Sequence, residues 1–295
     1  MSPSLKPLNQ QVIVITGASS GVGLATAQDA ARAGARVVLA ARSEDVLEAV
    51  AATLNAQGRE AIAVTADVAD RAQVQRIADV AIERFGRIDT WVNVAGVTIY
   101  GRLDEVSEED SRRLFDVNFW GSVHGSLAAL PHLRRHGGAL INVGSEASEL
   151  AIPLQGMYSA SKHAVKGFTD GLRIEVERLD GAPVSITLIE PGAVNTPLPD
   201  HARNYLDHQP KLPTPQLDPH QVATAILEAA VTPARDVKVG VTATLDTAVE
   251  KLAPSLADRI SVLQVPRQQR DEAPRDPAGN LFRPRGDGLT YGRGS

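Results

Sequence analysis

Tyr158 and Lys162 stand four residues apart in the stretch "GMYSASKHAV", in a chain with only 4 tyrosines. On a helix, positions i and i+4 share a face with Cβ atoms roughly 6 Å apart, so the pair would set an ammonium beside a phenol. A neighbouring positive charge favours the phenolate and lowers a phenol pKa from its usual value of about 10. Such a phenol can exchange a proton with a substrate oxygen. The same spacing also describes an ordinary exposed helix surface, so the rest of the chain must decide. A second stretch, "TGASSGVGLATA", places Gly17, Gly21 and Gly23 between an apolar run and a helix-like segment. Glycines there let the backbone turn tightly and approach a pyrophosphate, and the following helix offers free N–H groups and its positive dipole end.

The elements that must position these residues read clearly. Short apolar runs begin at Val12, Arg36, Ala61, Ile88, Ala139, Val184 and Val237. Helix-like patterns fill Gly23 to Ala33, Glu44 to Gln57, Arg71 to Phe85, Glu108 to Arg135, Met157 to Leu179 and Pro219 to Ala230. Nearly continuous apolar strands alternating with helices predict a parallel sheet covered on both faces. The expected fold is α/β, a doubly wound, Rossmann-like parallel sheet of about seven strands with a C-terminal extension.

Composition bounds the function. The 295 residues carry 43% hydrophobic and 22% charged side chains and a net charge of −5, with no strongly basic block, which argues against nucleic acid as a partner. The absence of cysteine removes disulfides, thiolate metal sites and a cysteine nucleophile. The 7 histidines form no HExxH pattern and read as loop and surface residues, so no metal is expected. Neither a signal core nor an apolar run long enough to span a membrane is present, and the expected location is the cytoplasm.

The ordered motifs resemble those of the short-chain dehydrogenase/reductase family, over roughly Gln11 to Val241. The glycine spacing is GxxxGxG after Thr16, not GxGxxG. "ADV" holds Asp67 and Val68; "NVAG" holds Asn93, Ala95 and Gly96, with Val94 where the family usually has asparagine. "DVNFWG" holds Asn118, "INVGS" ends at Ser145, Tyr158 and Lys162 follow, and "PGAVNT" spans Pro191 to Thr196. The resemblance implies hydride transfer between a nicotinamide dinucleotide and a carbonyl or alcohol substrate. It makes Asn118, Ser145, Tyr158 and Lys162 the catalytic set. The implied cofactor-binding residues begin with Gly17, Ser19, Ser20, Gly21, Val22 and Gly23 in the glycine turn. They continue with Arg42, Asp67, Val68, Asn93, Ala95, Gly96, Tyr158, Lys162, Pro191, Gly192, Val194 and Thr196. It also implies a homodimer or homotetramer built on the helices near Glu108 and Met157.

Cofactor choice is read at the end of the second strand. An Asp or Glu there would bind ribose hydroxyls, whereas this chain has Ala41 followed by Arg42, which favours NADP(H) over NAD(H) because a guanidinium grips a 2′-phosphate. The main alternatives are an NAD(H)-dependent alcohol dehydrogenase of the same fold, or a dinucleotide-binding regulator without catalysis.

Residues 1–241 make the expected catalytic domain, 242–263 an amphipathic helical extension and 264–295 an Arg/Pro/Gly-rich arm, extended or disordered. The apolar stripe from Leu245 to Leu263 is expected to dock beside the substrate cleft, with Phe282 or Tyr291 reaching it. Loss of the arm would then alter substrate KM and leave cofactor affinity unchanged.

Overall fold

A computed structural model describes residues 3–240, 255, 259, 261–263, 265–285 and 288–292. The strands of the main sheet are β1 (Val12–Thr16), β2 (Arg36–Ala41), β3 (Ala61–Thr65), β4 (Thr90–Asn93), β6 (Gly138–Val143), β7 (Val184–Pro191) and β9 (Asp236–Val239). They form a 7-stranded sheet in the order β3-β2-β1-β4-β6-β7-β9, every pairing parallel. Two short strands, β5 (Ile99–Tyr100) and β8 (Arg203–Asn204), pair outside it. The chain therefore has the doubly wound α/β architecture, with seven strands in the main sheet.

Helices α1 (Gly21–Arg32), α2 (Glu44–Ala56), α3 (Arg71–Phe85), α4 (Glu108–Phe115), α5 (Gly121–His136), α6 (Gly156–Arg173) and α7 (Pro219–Ala229) cover both faces. The central strands have no wet face: β1, β4, β6 and β7 are buried along their whole lengths. One core layer lies under α3, α5 and α6 and the other under α1, α2 and α7. Local chemistry fixes the helix ends. The Asp70 carboxylate accepts from Ala72 and Gln73 N–H at the start of α3, and Gly86 closes that helix in the left-handed conformation at φ 74°.

The long helices read from sequence as Glu108 to Arg135 and Met157 to Leu179 each contain a wide turn. Gly121 N–H reaches the carbonyl of Asp116, and Asp180 N–H that of Glu175, five residues back in each case. Such bulges recur at functional positions, and the first of them carries Asn118.

Most of the stripe from Leu245 to Leu263 lies outside the described residues. Val262 and Leu263, at its end, are exposed. The arm that follows is packed, not free. Its backbone runs beside the loop after β7: Lys211 N–H donates to Gln268 O, Arg270 N–H to Gln209 O, Gln209 N–H to Glu272 O, Asn204 N–H to Pro277 O and Asn280 N–H to His201 O, at 2.8 to 2.9 Å. Leu281 is fully buried. A polar arm holds this course because its main-chain groups find partners, so the docking needs little apolar surface of its own.

Candidate active site

The carboxyl ends of the strands open into one cavity of about 310 Å³, at the place where doubly wound sheets hold ligands. Its nucleotide half starts at the turn between β1 and α1. Gly17 and Gly21 adopt φ 72° and 54°, which side-chain-bearing residues rarely occupy. A Cβ on Gly23 would lie 2.1 Å from the Gly17 carbonyl oxygen, so only glycine permits this close return of the helix onto the turn. The Thr16 hydroxyl donates to Val92 O and accepts from the N–H groups of Val94 and Ala95, tying the ends of β1 and β4 together. Gly17, Ser19, Ser20, Gly21, Val22 and Gly23 all line the cavity, as do Ala95, Gly96, Val68, Pro191, Gly192, Val194 and Thr196.

Arg42 and Asp67 line it at the far end of this half, where the arm arrives. Arg42 donates from Nη1 to Leu281 O at 3.1 Å and from Nη2 to Asn280 O at 2.6 Å. Arg113, on α4, joins Asp67 in an ion pair and donates to the same Leu281 carbonyl at 3.2 Å. Burial pulls the Arg42 guanidinium below its usual value, the Asp67 charge opposes that, and Arg113 adds to it. Arg113 is a second cation that the motif pattern does not reveal, because it lies on α4 outside every family motif. The Gly21 N–H, at the start of α1, donates to Leu289 O at 2.9 Å, so the arm crosses from Arg42 to the glycine turn. Asn280, Pro284 and Arg285 form part of the cavity wall.

Asn93 does not line the cavity. Its oxygen accepts from Trp91 Nε1 at 2.8 Å and its amide donates to Ser122 O, Ser126 Oγ and Asn142 Oδ1. The side chain is consumed by a buried polar network beneath the site, so its part is to hold β4 against α5. Asn118 is likewise fully buried, not on the surface. It accepts from Val97 N–H and donates to Val97 O and Ser161 Oγ, while its own carbonyl accepts from Ser122 Oγ. It clamps the turn after Gly96 to α6.

Ser145 follows β6 and lines the cavity with Tyr158 and Lys162, which lie one turn apart on the buried face of α6. The Lys162 ammonium is 5.8 Å from the centre of the Tyr158 ring and donates to Val143 O at 2.9 Å. An ammonium has three N–H groups, so two remain for the cavity. The expected lowering of the phenol is not what the protein groups produce. Burial pushes Tyr158 up to about 12, with the hydrogen bond to Ser145 pulling the other way and Glu146 adding to the rise. Burial also brings Lys162 down to about 8. Desolvation is the largest cause for both groups.

The substrate half is walled by Leu150, Ile152, Pro153, Leu198, Leu212 and Pro213. Polar side chains interrupt it, among them Gln155, Gln268 and His201. His201 is 5% exposed, so histidine here is not confined to the surface. Phe282 and Tyr291 are partly exposed and stay out of the cavity wall. Tyr291 instead donates to Asp218 at 3.2 Å. Among the described residues no cluster of His, Cys, Asp and Glu could hold a metal ion, and no helix is long and apolar enough to cross a membrane.

A family model described as short chain dehydrogenase matches residues 11–206. The chain is also 46% identical over 276 residues to the "uncharacterized oxidoreductase YxnA" of Bacillus subtilis (strain 168), covering 92% of its own length and 77% of that protein's. The chain belongs to the short-chain dehydrogenase family. This short-chain dehydrogenase is similar in structure to an alcohol dehydrogenase from the archaeon Thermococcus sibiricus complexed with 5-hydroxy-NADP. That likeness has a TM-score of 0.68 and 32% identity over 78% of this chain and 94% of that one. A short-chain dehydrogenase/reductase from Burkholderia phymatum in complex with NAD matches with a TM-score of 0.74 and 31% identity, over 91% and 99% of the two chains. Family membership makes the chain an oxidoreductase and leaves its cofactor preference and its substrate to the geometry.

Proposed function

We propose that the chain is an NADP(H)-dependent oxidoreductase that interconverts a carbonyl and a primary or secondary alcohol. The observation that carries this reading is the convergence of Ser145, Tyr158 and Lys162 on one wall of a cavity whose other half is the glycine turn. The residues fit a nicotinamide dinucleotide: bare backbone at Gly17 and Gly21, the N–H groups of the first turn of α1 beyond Gly21, Arg42 for a 2′-phosphate, Asp67 for the adenine and Lys162 for ribose hydroxyls. When bound, the dinucleotide supplies or accepts the hydride.

The protein's own groups handle the proton. In reduction, the carbonyl π bond breaks as hydride reaches its carbon, and the Tyr158 hydroxyl transfers its proton to the oxygen. A phenol pushed up to about 12 holds that proton at neutral pH, which suits the acid role. Ser145 donates to the same oxygen as charge develops there. Asn118 fixes the Gly96–Val97 turn against α6 and so fixes the depth of the cavity.

NAD(H) is the second reading, favoured by one observation: two terminal N–H groups of Arg42 are already given to arm carbonyls. A guanidinium has five N–H donors, so others remain for a phosphate, and Ala41 leaves no carboxylate to bind ribose hydroxyls, so NADP(H) is preferred. Exposed Trp120, Leu127 and Ile174 on and beside α5 and α6 support a homo-oligomer through that face. Spectrophotometric oxidation of NADPH and NADH with a panel of aldehydes and ketones tests the reading. No turnover with any carbonyl would overturn it.

A further inference from the structure

The C-terminal extension brings a side chain into the substrate half of the cavity that no motif accounts for. Gln268 closes a short turn at Val265–Gln268 and is 3% exposed, although it lies far along the chain from the rest of the wall. The backbone pairing of residues 268–272 with the loop at 209–211 fixes it there. It meets Gln155, 5% exposed, which stands immediately before α6 and three residues ahead of Tyr158.

The hydrogen bonds determine how the two amides point. Gln268 Nε2 lies 3.3 Å from the carbonyl oxygen of Pro153. A carbonyl only accepts, so the nitrogen must face it, and the Gln268 oxygen must then take the hydrogen bond from Gln155 Nε2, at 3.0 Å. The Gln155 oxygen in turn accepts from the Thr98 hydroxyl at 3.2 Å. Both amide oxygens are thus satisfied. Each primary amide nitrogen carries two N–H groups, and each has used one, so each keeps an N–H with no acceptor among the described residues. Buried donors without acceptors are costly, and both residues line the cavity beside the apolar side chains of Leu150, Ile152, Leu198 and Leu212.

The geometry points to Gln268, together with Gln155, as a substrate-reading pair. It selects carbonyl compounds with a bulky apolar body that carries a hydrogen-bond acceptor away from the reacting carbonyl. This rests on the reading of the cavity as a site of carbonyl reduction. The apolar body fills the space between Leu150, Ile152, Leu198 and Leu212, and the remote acceptor receives the two spare N–H groups. A substrate lacking the acceptor leaves them unpaired, which is how buried polar groups discriminate.

A shape-matched pair of ketones tests the inference: trans-1-decalone, purely apolar beyond its carbonyl, and decalindiones with the second oxygen stepped around the far ring. The wild-type enzyme with NADPH is expected to favour at least one dione by about tenfold in kcat/KM, the worth of a hydrogen bond or two. Gln268→Leu should cut that ratio at least about fivefold, and Gln268→Glu, which keeps the shape and turns donors into acceptors, should do the same. Circular dichroism melts verify that each variant is folded. Calorimetric titration of the same ketones into Tyr158→Phe with NADP+, with and without Gln268→Glu, measures selectivity without turnover. A binding preference that depends on Gln268 with no wild-type reduction would sink the carbonyl-reductase reading and leave this inference standing. Equal handling of monoketone and diones by the wild type, an unchanged ratio in both variants, or no binding of either class would overturn it.

Discussion

Arg42 and Asn280 are 238 residues apart in the chain, yet Nη2 of Arg42 donates to the Asn280 carbonyl at 2.6 Å. The bond joins the end of β2, where the proposed NADP(H) reading places the 2′-phosphate, to an arm that begins beyond the last strand. With Leu281 O shared between Arg42 and Arg113, and Leu289 O on the first turn of α1, the arm walls the nucleotide half of the cavity.

Deleting residues 280–295 is therefore expected to weaken NADPH binding, reversing the expectation drawn from the sequence that cofactor affinity would not change. The truncated chain frees the Arg42 side chain to sample rotamers it must surrender on binding, and opens one wall to solvent. The dissociation constant from NADPH fluorescence titration should rise by about three- to tenfold. Tighter binding after truncation would make the arm a competitor of the cofactor.

On the proposed mechanism, Tyr158→Phe removes the proton carrier and leaves the nucleotide half intact. The rate of carbonyl reduction should fall by about 10²- to 10⁴-fold, the usual worth of a positioned acid, with NADPH affinity nearly unchanged. The pH profile of kcat/KM should be flat below about 8 and decline above it, as Lys162, brought down to about 8 by burial, loses its charge. The Lys162→Met variant should be slow and should lack that decline. A wild-type profile that stays flat well past pH 8 would separate Lys162 from the chemistry.

The sequence made the sheet legible because its strands are buried on both faces, which leaves continuous apolar runs such as "VIVI" and "VSITLI". It made the glycine turn legible because positive φ and close backbone approach leave glycine no substitute at Gly17 and Gly23. It could not show the arm's course, because Asn280, Leu281 and Leu289 act through main-chain carbonyls, which every residue possesses. Asn93 misleads for the opposite reason: its type fits a ligand contact, but Trp91, Ser122, Ser126 and Asn142 surround it. The phenol's pKa was also beyond reach, since burial sets it and burial depends on the whole fold.

Cofactor choice has its own test in Ala41→Asp combined with Arg42→Leu. The first change sets a carboxylate where a 2′-phosphate would approach, and the second removes a cation facing it. The ratio of kcat/KM for NADPH over NADH should fall by at least about 100-fold, corresponding to loss of a charge-assisted pair. Should the ratio persist, Arg113 or Arg285 would be the residue that reads the phosphate, and substitution of each in the double variant would identify it.

Glu190 offers a test of the ground beneath the site. It is the last residue before Pro191 and Gly192 on β7, 1% exposed, and neither carboxyl oxygen has a hydrogen-bond partner among the described residues. Burial pushes its pKa from 4.5 up to about 7, and Glu149 adds to the rise; Lys238 and Lys166 pull it down, and Asp236 opposes them. Because the folded value lies above the unfolded one, the folded protein binds the extra proton between those limits. Stability from this group is full below about pH 4.5 and is lost as pH rises through about 7. Glu190→Gln keeps the shape and never ionises, so its effect on stability must itself depend on pH. Relative to wild type, the variant should be more favourable at pH 8 than at pH 5 by on the order of 2 kcal/mol. Denaturant melts at the two pH values measure this directly. A stability difference that stays the same at both would mean that the carboxyl finds water or a partner and is ionised throughout.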